Sequence, residues 1–328
     1  MRTISVSGEP LLDIRCHLGE GPLYQPETDE LHFLDIARGE VHHYNCATRA
    51  HEVDVYDAHV SCIRLRQDQP GFIAVADRGF AFLPARAPGS SHDSPAPVTY
   101  HVELEPDLHP RSKMFNDGEI DTLGRFMAGT KPARGEAMGK REEVMWRLDG
   151  EGKLDKVMDG LALPNGIDFS VDETRMYFAD TIERTIFVYD YDASTGEFSN
   201  RRTFHHSPSR ASPGGLPDGL LVDADDHVYS ARFAGGKIIR FKPSGEPDLE
   251  IVFDDARHVT ACELGDKGGS TLFVTTASLA ENGDDRDEEL VRQYGARSGA
   301  LWAVDLSGEG VRAKERFRFR SVAPRASL

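Results

Sequence analysis

Short apolar runs that end in a small or polar residue recur along this chain. They read Leu31-His-Phe-Leu-Asp-Ile36, Phe72-Ile-Ala-Val-Ala76, Phe126-Met-Ala-Gly-Thr130, Met176-Tyr-Phe-Ala-Asp-Thr181, Val228-Tyr-Ser-Ala-Arg232 and Leu272-Phe-Val-Thr-Thr276. Their spacing of roughly 40 to 55 residues is the period of propeller blades. About ten residues before a run lies a second strand-like segment, such as Gly166-Ile-Asp-Phe169 or Gly219-Leu-Leu-Val222. The link between them is rich in residues that tolerate tight turns. About ten residues after each run comes a half-buried or apolar strand, for example Val41 to Tyr44, Val144 to Arg147, Ile186 to Tyr189, Ile238 to Phe241 or Leu301 to Val304. A fourth, more polar segment then follows, as at His51 to Tyr56, Val98 to Leu104 and Arg312 to Phe319.

Six repeats of four strands predict an all-β fold, a six-bladed β-propeller, with residues 1–328 forming one domain. A pair of β-sandwiches explains the period poorly. The opening strand, Ile4 to Ile14, has no inner partner of its own and is expected to complete the last blade and close the ring. Helix is expected only over Asp285 to Gln293, inside a charged insertion from Ser278 to Arg297.

Charge and cysteine content narrow the function classes. A formal net charge of −17 argues against nucleic acid and against anionic membrane surfaces. Cys16, Cys46, Cys62 and Cys262 show neither disulfide-framework nor zinc-site spacing and read as free thiols in a reducing compartment. The first residues carry Glu9 and no continuous apolar run, so no signal peptide is expected; the C-terminal Ala326-Ser-Leu328 only loosely approaches a peroxisomal address. The chain is expected to be cytoplasmic, a monomer or weak homo-oligomer, with a small molecule as partner.

Repetition also locates a candidate site. Glu20-Gly21-Pro22, Asn165-Gly166-Ile167 and Asp218-Gly219-Leu220 fall at one position in the inner strands of the first, fourth and fifth repeats. Asn116-Asp117-Gly118 falls there, or one residue off, in the third. Inner strands line the central channel, so four oxygen-bearing side chains converge on the axis. One Glu, one Asp and two amide carbonyls suit a hard divalent cation. Taken singly, N-G and D-G are more often turns. Three in register beside a buried-looking Glu favour the cation, because inward polar groups need partners.

These motifs resemble the senescence marker protein (regucalcin), gluconolactonase and luciferin-regenerating-enzyme-like family. The resemblance rests on Leu18-Gly-Glu-Gly-Pro22, Phe115-Asn-Asp-Gly118, Gly124 to Thr130, Pro164 to Phe169, Pro217-Asp-Gly-Leu220, Gly235 to Arg240 and Val259 to Cys262. It implies one divalent metal ion, Ca, Zn, Mn, Mg or Fe in different members, bound by Glu20, Asn165 and Asp218. Asn116 would then lie nearby, facing substrate or a metal-bound water, and Asp117 beside it is a further substrate-binding candidate. It also implies a hydrolase of lactones, sugar lactones above all, although some relatives cleave organophosphates.

Polarisation of a lactone carbonyl followed by water attack fits these residues. Asp218 is the expected general base, or alternatively a ligand only, with metal-bound hydroxide as nucleophile. No G-x-S-x-G elbow occurs, which argues against covalent catalysis. A phosphotriesterase on the same metal and a non-catalytic binding propeller are the other classes the pattern allows.

The chain departs from the family where substrate is held. Sugar-lactone members carry Arg two residues before the Asn of N-D-G, whereas this chain has Met114, with Arg111 and Lys113 upstream. A substrate-facing Glu after the A-G-T strand is replaced by the Lys131 to Arg134 stretch. Met114 points to a less hydroxylated substrate; alternatively, Arg111 supplies the missing charge. His17, His59, His205, His206 and His258 lie near strand starts and read as ordinary hydrogen-bonded residues.

Overall fold

The computed structural model describes residues 1–67, 69–86, 94–108, 110–133, 135–208 and 214–321. Arg134 and Ala326-Ser-Leu328 lie outside the described residues. Strand β1 (Arg2–Val6) precedes blade one, which contains β2 (Gly19–Gln25), β3 (Glu30–Asp35), β4 (Glu40–Asn45) and β5 (His51–Val55). Blade two contains β6 (Val60–Leu65), β7 (Phe72–Ala76), β8 (Gly79–Leu83) and β9 (Tyr100–Glu103). Blade three contains β10 (Lys113–Ile120), β11 (Phe126–Pro132), β12 (Glu143–Leu148) and β13 (Leu154–Leu161). Blade four contains β14 (Pro164–Phe169), β15 (Arg175–Asp180), β16 (Thr185–Asp192) and β17 (Glu197–His206). Blade five contains β18 (Leu216–Val222), β19 (Val228–Phe233), β20 (Lys237–Phe241) and β21 (Pro247–Phe253). Blade six has three strands among the described residues: β22 (His258–Gly265), β23 (Thr271–Ala277) and β24 (Trp302–Asp305). The fold is the expected six-bladed propeller, and the recurrent apolar runs are the second strands of its blades.

Burial explains the pattern. Every residue of β18 and β22 is buried, whereas β17, at the outside of its blade, is mostly exposed. Six apolar clusters fill the six junctions between neighbouring blades. Blades two and three, for example, meet through Cys62, Ile73 and Phe80 against Phe115, Phe126 and Trp146. No blade buries its faces alone, so the ring is the folding unit. It closes where the Thr260 hydroxyl donates to the Gly19 carbonyl oxygen at 2.6 Å and Leu18 bridges Ala277.

Three sequence expectations are corrected. Strand β1 pairs in parallel with β21 and so becomes a fifth strand on blade five, not the closing strand of blade six. Gly8, with φ of 98°, and Pro10 break the opening segment. Its first half therefore docks Ile4 and Val6 on the cluster of blades five and six, and in its second half Leu12 bridges Leu301 of blade six. The helix is α1 (Glu288–Tyr294), shifted because the Asp287 carboxylate caps it by accepting from the amides of Glu289 and Leu290.

The third correction concerns Arg312 to Phe319, which does not form a fourth strand in blade six. This tail crosses the channel end opposite the candidate site. Ala313 donates to Gly269 O in blade six, and at the far side Phe319 and Arg320 donate to Leu65 O in blade two and Gly124 O in blade three. Arg316 reaches between the inner strands. Its guanidinium lies 2.7 Å from Asp168 and 2.8 Å from Glu263, with Glu119 at 3.7 Å. Lys314 pairs with Asp168 at 2.7 Å and Arg64 with Glu119 at 2.9 Å. Burial alone would raise Asp168, but Lys314 and Arg316 outweigh it and hold its carboxyl below the ordinary range.

Arg316→Met should strand the Glu263 carboxylate away from water and leave Asp168 with Lys314 alone. The expected loss is about 3–5 kcal/mol of stability, read from the shift of a denaturant unfolding curve. An unshifted curve would show that the tail does not hold this end of the channel.

Candidate active site at the channel mouth

All six inner strands lose ladder register at one level. The slips fall between Glu20 and Leu23, Val60 and Cys62, Phe115 and Gly118, Pro164 and Ile167, Pro217 and Leu220, and Val259 and Ala261. A bulge frees residues from pairing and re-aims their side chains. The freed residues are Asn116-Asp117, Asn165-Gly166 and Asp218-Gly219 in blades three to five, and Ser61 and Thr260 in blades two and six. In blade one, Glu20 is the last paired residue before the slip. Glu20, Ser61, Asn116, Asn165, Asp218 and Thr260 are all at most 9% exposed.

Glycine is required at two approaches between inner strands. A Cβ on Gly166 would lie 2.1 Å from the Leu220 amide nitrogen, and one on Gly219 would lie 2.8 Å from the Ala261 side chain. Adjacent blades thus touch through backbone at this level, and only a residue without Cβ fits.

A second device aims the first residues of two strands. Asp35, at the end of β3, accepts the amides of His17 (2.7 Å) and Leu18 (3.1 Å). Asp180, at the end of β15, accepts those of Ala162 (2.9 Å) and Leu163 (3.1 Å). Each buried carboxylate fixes the backbone two residues ahead of Glu20 or Asn165. Asn165 Nδ2 donates to Thr181 Oγ1 at 3.1 Å, and Asn116 Nδ2 donates to Pro164 O at 2.9 Å. Both amides are thereby oriented, with their carbonyl oxygens left as acceptors.

The electrostatics are those of acids crowded out of water. Burial, then the charge of Asp117, pushes the Glu20 carboxyl up to about 8. Burial, then Glu20 and Asp117, pushes Asp218 well above the carboxylate range, with Lys131 and a hydrogen bond from Asn165 opposing. Asp117 is itself raised by burial, against Arg64. Like charges this close retain protons unless a cation joins them. Among the described residues, no three His, Cys, Asp or Glu side chains form a metal cluster. The donor set here is instead two carboxyls with two amide oxygens, which suits a hard oxygen-binding cation.

Beside this cluster opens a cavity of about 690 Å³. Leu18, Ile36, Met114, Tyr100, Arg111 and Lys131 contribute to its wall. Lys131 and Glu281 line it and also act on Glu20 through their charge, so the cavity adjoins the carboxyl pair. Met114, 9% exposed, packs with the apolar cluster of blades one and two, while Arg111 is exposed at the rim.

The histidines are tied into the walls. His17 pairs with Glu281 at 3.1 Å, His59 with Asp77 at 2.8 Å and His258 with Asp284 at 3.1 Å. His206 meets the Thr185 hydroxyl at 2.9 Å, and His205 packs against Phe241. Ser61 and Thr260 complete the ring of bulges and were not legible as part of it, because Val60-Ser-Cys62 and Val259-Thr-Ala261 lack the marker glycine.

Residues 18–278 match the family described as SMP-30/Gluconolactonase/LRE-like region. The chain belongs to that family. Within it, the chain is 32% identical to the pentonolactonase XacC of Haloferax volcanii, over 92% of this chain and 94% of that one. It is 29% identical to regucalcin of Bos taurus, over 94% and 97% of the two chains. A solved structure of a luciferin-regenerating enzyme superposes with a TM-score of 0.81 at 26% identity, covering 95% of this chain and 98% of that one. No helix of the described residues is long and apolar enough to cross a membrane.

The raised carboxyls of this family member carry a consequence for pH. Without metal, the folded chain binds more protons at Glu20 than the unfolded chain does, between the ordinary Glu range and about 8. That contribution to stability is present at low pH and is lost as pH rises through this window. In chelator, the melting temperature should therefore fall from about pH 5 to about pH 8 more steeply for the parent than for Glu20→Gln. Parallel profiles for the two proteins would contradict the arrangement.

Proposed function

We propose that this protein is a metal-dependent lactonase, opening its substrate's ring with water at the channel mouth. The lactone chemistry is supported by the family and by its pentonolactonase relative. The observation that carries the site is the buried pair Glu20 and Asp218, both raised in proton affinity, flanked by the oriented amides of Asn116 and Asn165 at the edge of the cavity. Glu20, Asn165 and Asp218 would hold one divalent cation, with calcium, zinc, manganese and magnesium as candidates. When bound there, such an ion supplies Lewis acidity to a carbonyl oxygen, worth several kcal/mol in the transition state.

The chain's own residues do the rest. Asn116 is fixed through Pro164 and presents its carbonyl oxygen towards the substrate side. Asn165 is fixed through Thr181, whose hydroxyl donates on to Pro217 O at 2.8 Å, next to Asp218. This chain of bonds couples the position of one site residue to that of the other. With a cation neutralising the crowded carboxyls, Asp218 would be ionised and would take the proton of the attacking water, within whose hydrogen-bond reach a base must lie. Met114 replaces polar grip with apolar surface and favours a lactone with few hydroxyls.

Asp218→Ala should lower kcat for lactone opening by about a hundredfold or more, with an unchanged circular dichroism spectrum. Chelator should abolish turnover and one of the four divalent ions should restore it. Retained activity in the variant would remove Asp218 from the mechanism, and faster turnover of phosphotriesters than of any lactone would overturn the lactonase reading.

A further inference from the structure

The ion pairs around the cavity leave two wall cations, Lys131 and Arg111, without a carboxylate in ion-pairing reach. Of the basic side chains in the wall, Arg78 pairs with Glu103 at 3.1 Å and Lys113 with Glu143 at 3.0 Å. The wall's acids are mostly engaged as well: Asp77 with His59, Glu281 with His17, and Asp57 as acceptor from the Val98 amide at 3.1 Å. Glu136 is exposed at the outside. The Lys131 side chain makes no ion pair or hydrogen bond among the described residues, and neither does that of Arg111 at the rim.

The position of Lys131 gives this consequence. It stands directly across the β10–β11 ladder from Met114, which lies two residues before Asn116. The partly buried lysine therefore sits on the cavity side of the site, close enough for its charge to act on both Glu20 and Asp218. The neighbouring surface, formed by Met114, Leu18, Ile36 and Ala37, is apolar. With Glu20 and Asp218 engaged by the cation, an ammonium beside apolar surface with no carboxylate in ion-pairing reach is matched by an anionic group on the ligand.

We propose that the cavity selects a lactone carrying a free carboxylate, which Lys131 binds while the ring carbonyl lies at the Glu20–Asp218 end. This rests on the lactonase reading and specifies its substrate class. Arg111, exposed at the rim, attracts the same anion during approach.

The test compares γ-butyrolactone with the γ-lactone of hydroxyglutaric acid, the same ring bearing one carboxylate, in the parent, Lys131→Met and Lys131→Arg proteins with metal present. The carboxylated ring should be preferred by about tenfold in kcat/KM, mainly through KM. The preference should collapse in Lys131→Met and partly survive in Lys131→Arg. Equal kcat/KM for the two rings in the parent, or the same loss on both rings in Lys131→Met, would overturn the proposal. Calorimetric titration with hydroxyglutarate against 4-hydroxybutyrate separates the two layers of the argument. If neither ring is opened, the lactonase reading fails; tighter binding of the dicarboxylate that depends on Lys131 would still support the anion site, and equal binding would sink it.

Discussion

Six inner strands meeting around one axis come too close for every residue to carry a side chain. At the level of Gly166 and Gly219 the backbones of blades four, five and six are in direct contact. The ladders break at this level in every blade, and each break frees a polar residue or leaves one at its edge. The site follows from that crowding. Oxygen-bearing groups gather where water is excluded, and their proton affinities rise because burial and mutual repulsion both disfavour charge.

The same strands carry a second polar layer three residues further on, at Arg64, Glu119, Asp168 and Glu263. There the charges balance, since Arg64, Lys314 and Arg316 face three carboxylates. That layer is satisfied from within the chain and seals one end of the channel. The upper layer is not balanced: Glu20, Asp117 and Asp218 face only Arg64, 3.8 Å from Asp117, and the charge of Lys131, which forms no ion pair with them. Perturbed, uncompensated groups beside a cavity are where chemistry is expected, whereas balanced networks serve the fold. The two layers separate function from stability along one axis.

The cavity wall beside the upper layer has its own character. Met114 and Lys131 are cross-strand neighbours, so the apolar surface and the unpaired ammonium form one feature. Their pairing places both on a single wall.

The propeller was legible because blade burial imposes a strict order on each repeat: an apolar second strand, an inner strand before it, polar strands outside. Glu20, Asn165 and Asp218 were legible for the same reason, since the glycine that permits close approach marks the residue before it. Ser61 and Thr260 carry no such mark. The docking of β1 on blade five, the tail under the channel and the meeting of Lys131 with the carboxyl pair were not visible in the chain. Each depends on contacts between segments far apart in sequence, and local periodicity holds no record of them. The sequence by itself determined the repeat and the chemistry pointed at the axis. Only the tertiary structure decided which end of the channel is sealed by matched charge and which stays open with charge unmatched, because that balance is struck between strands of different blades and a tail of some ten residues.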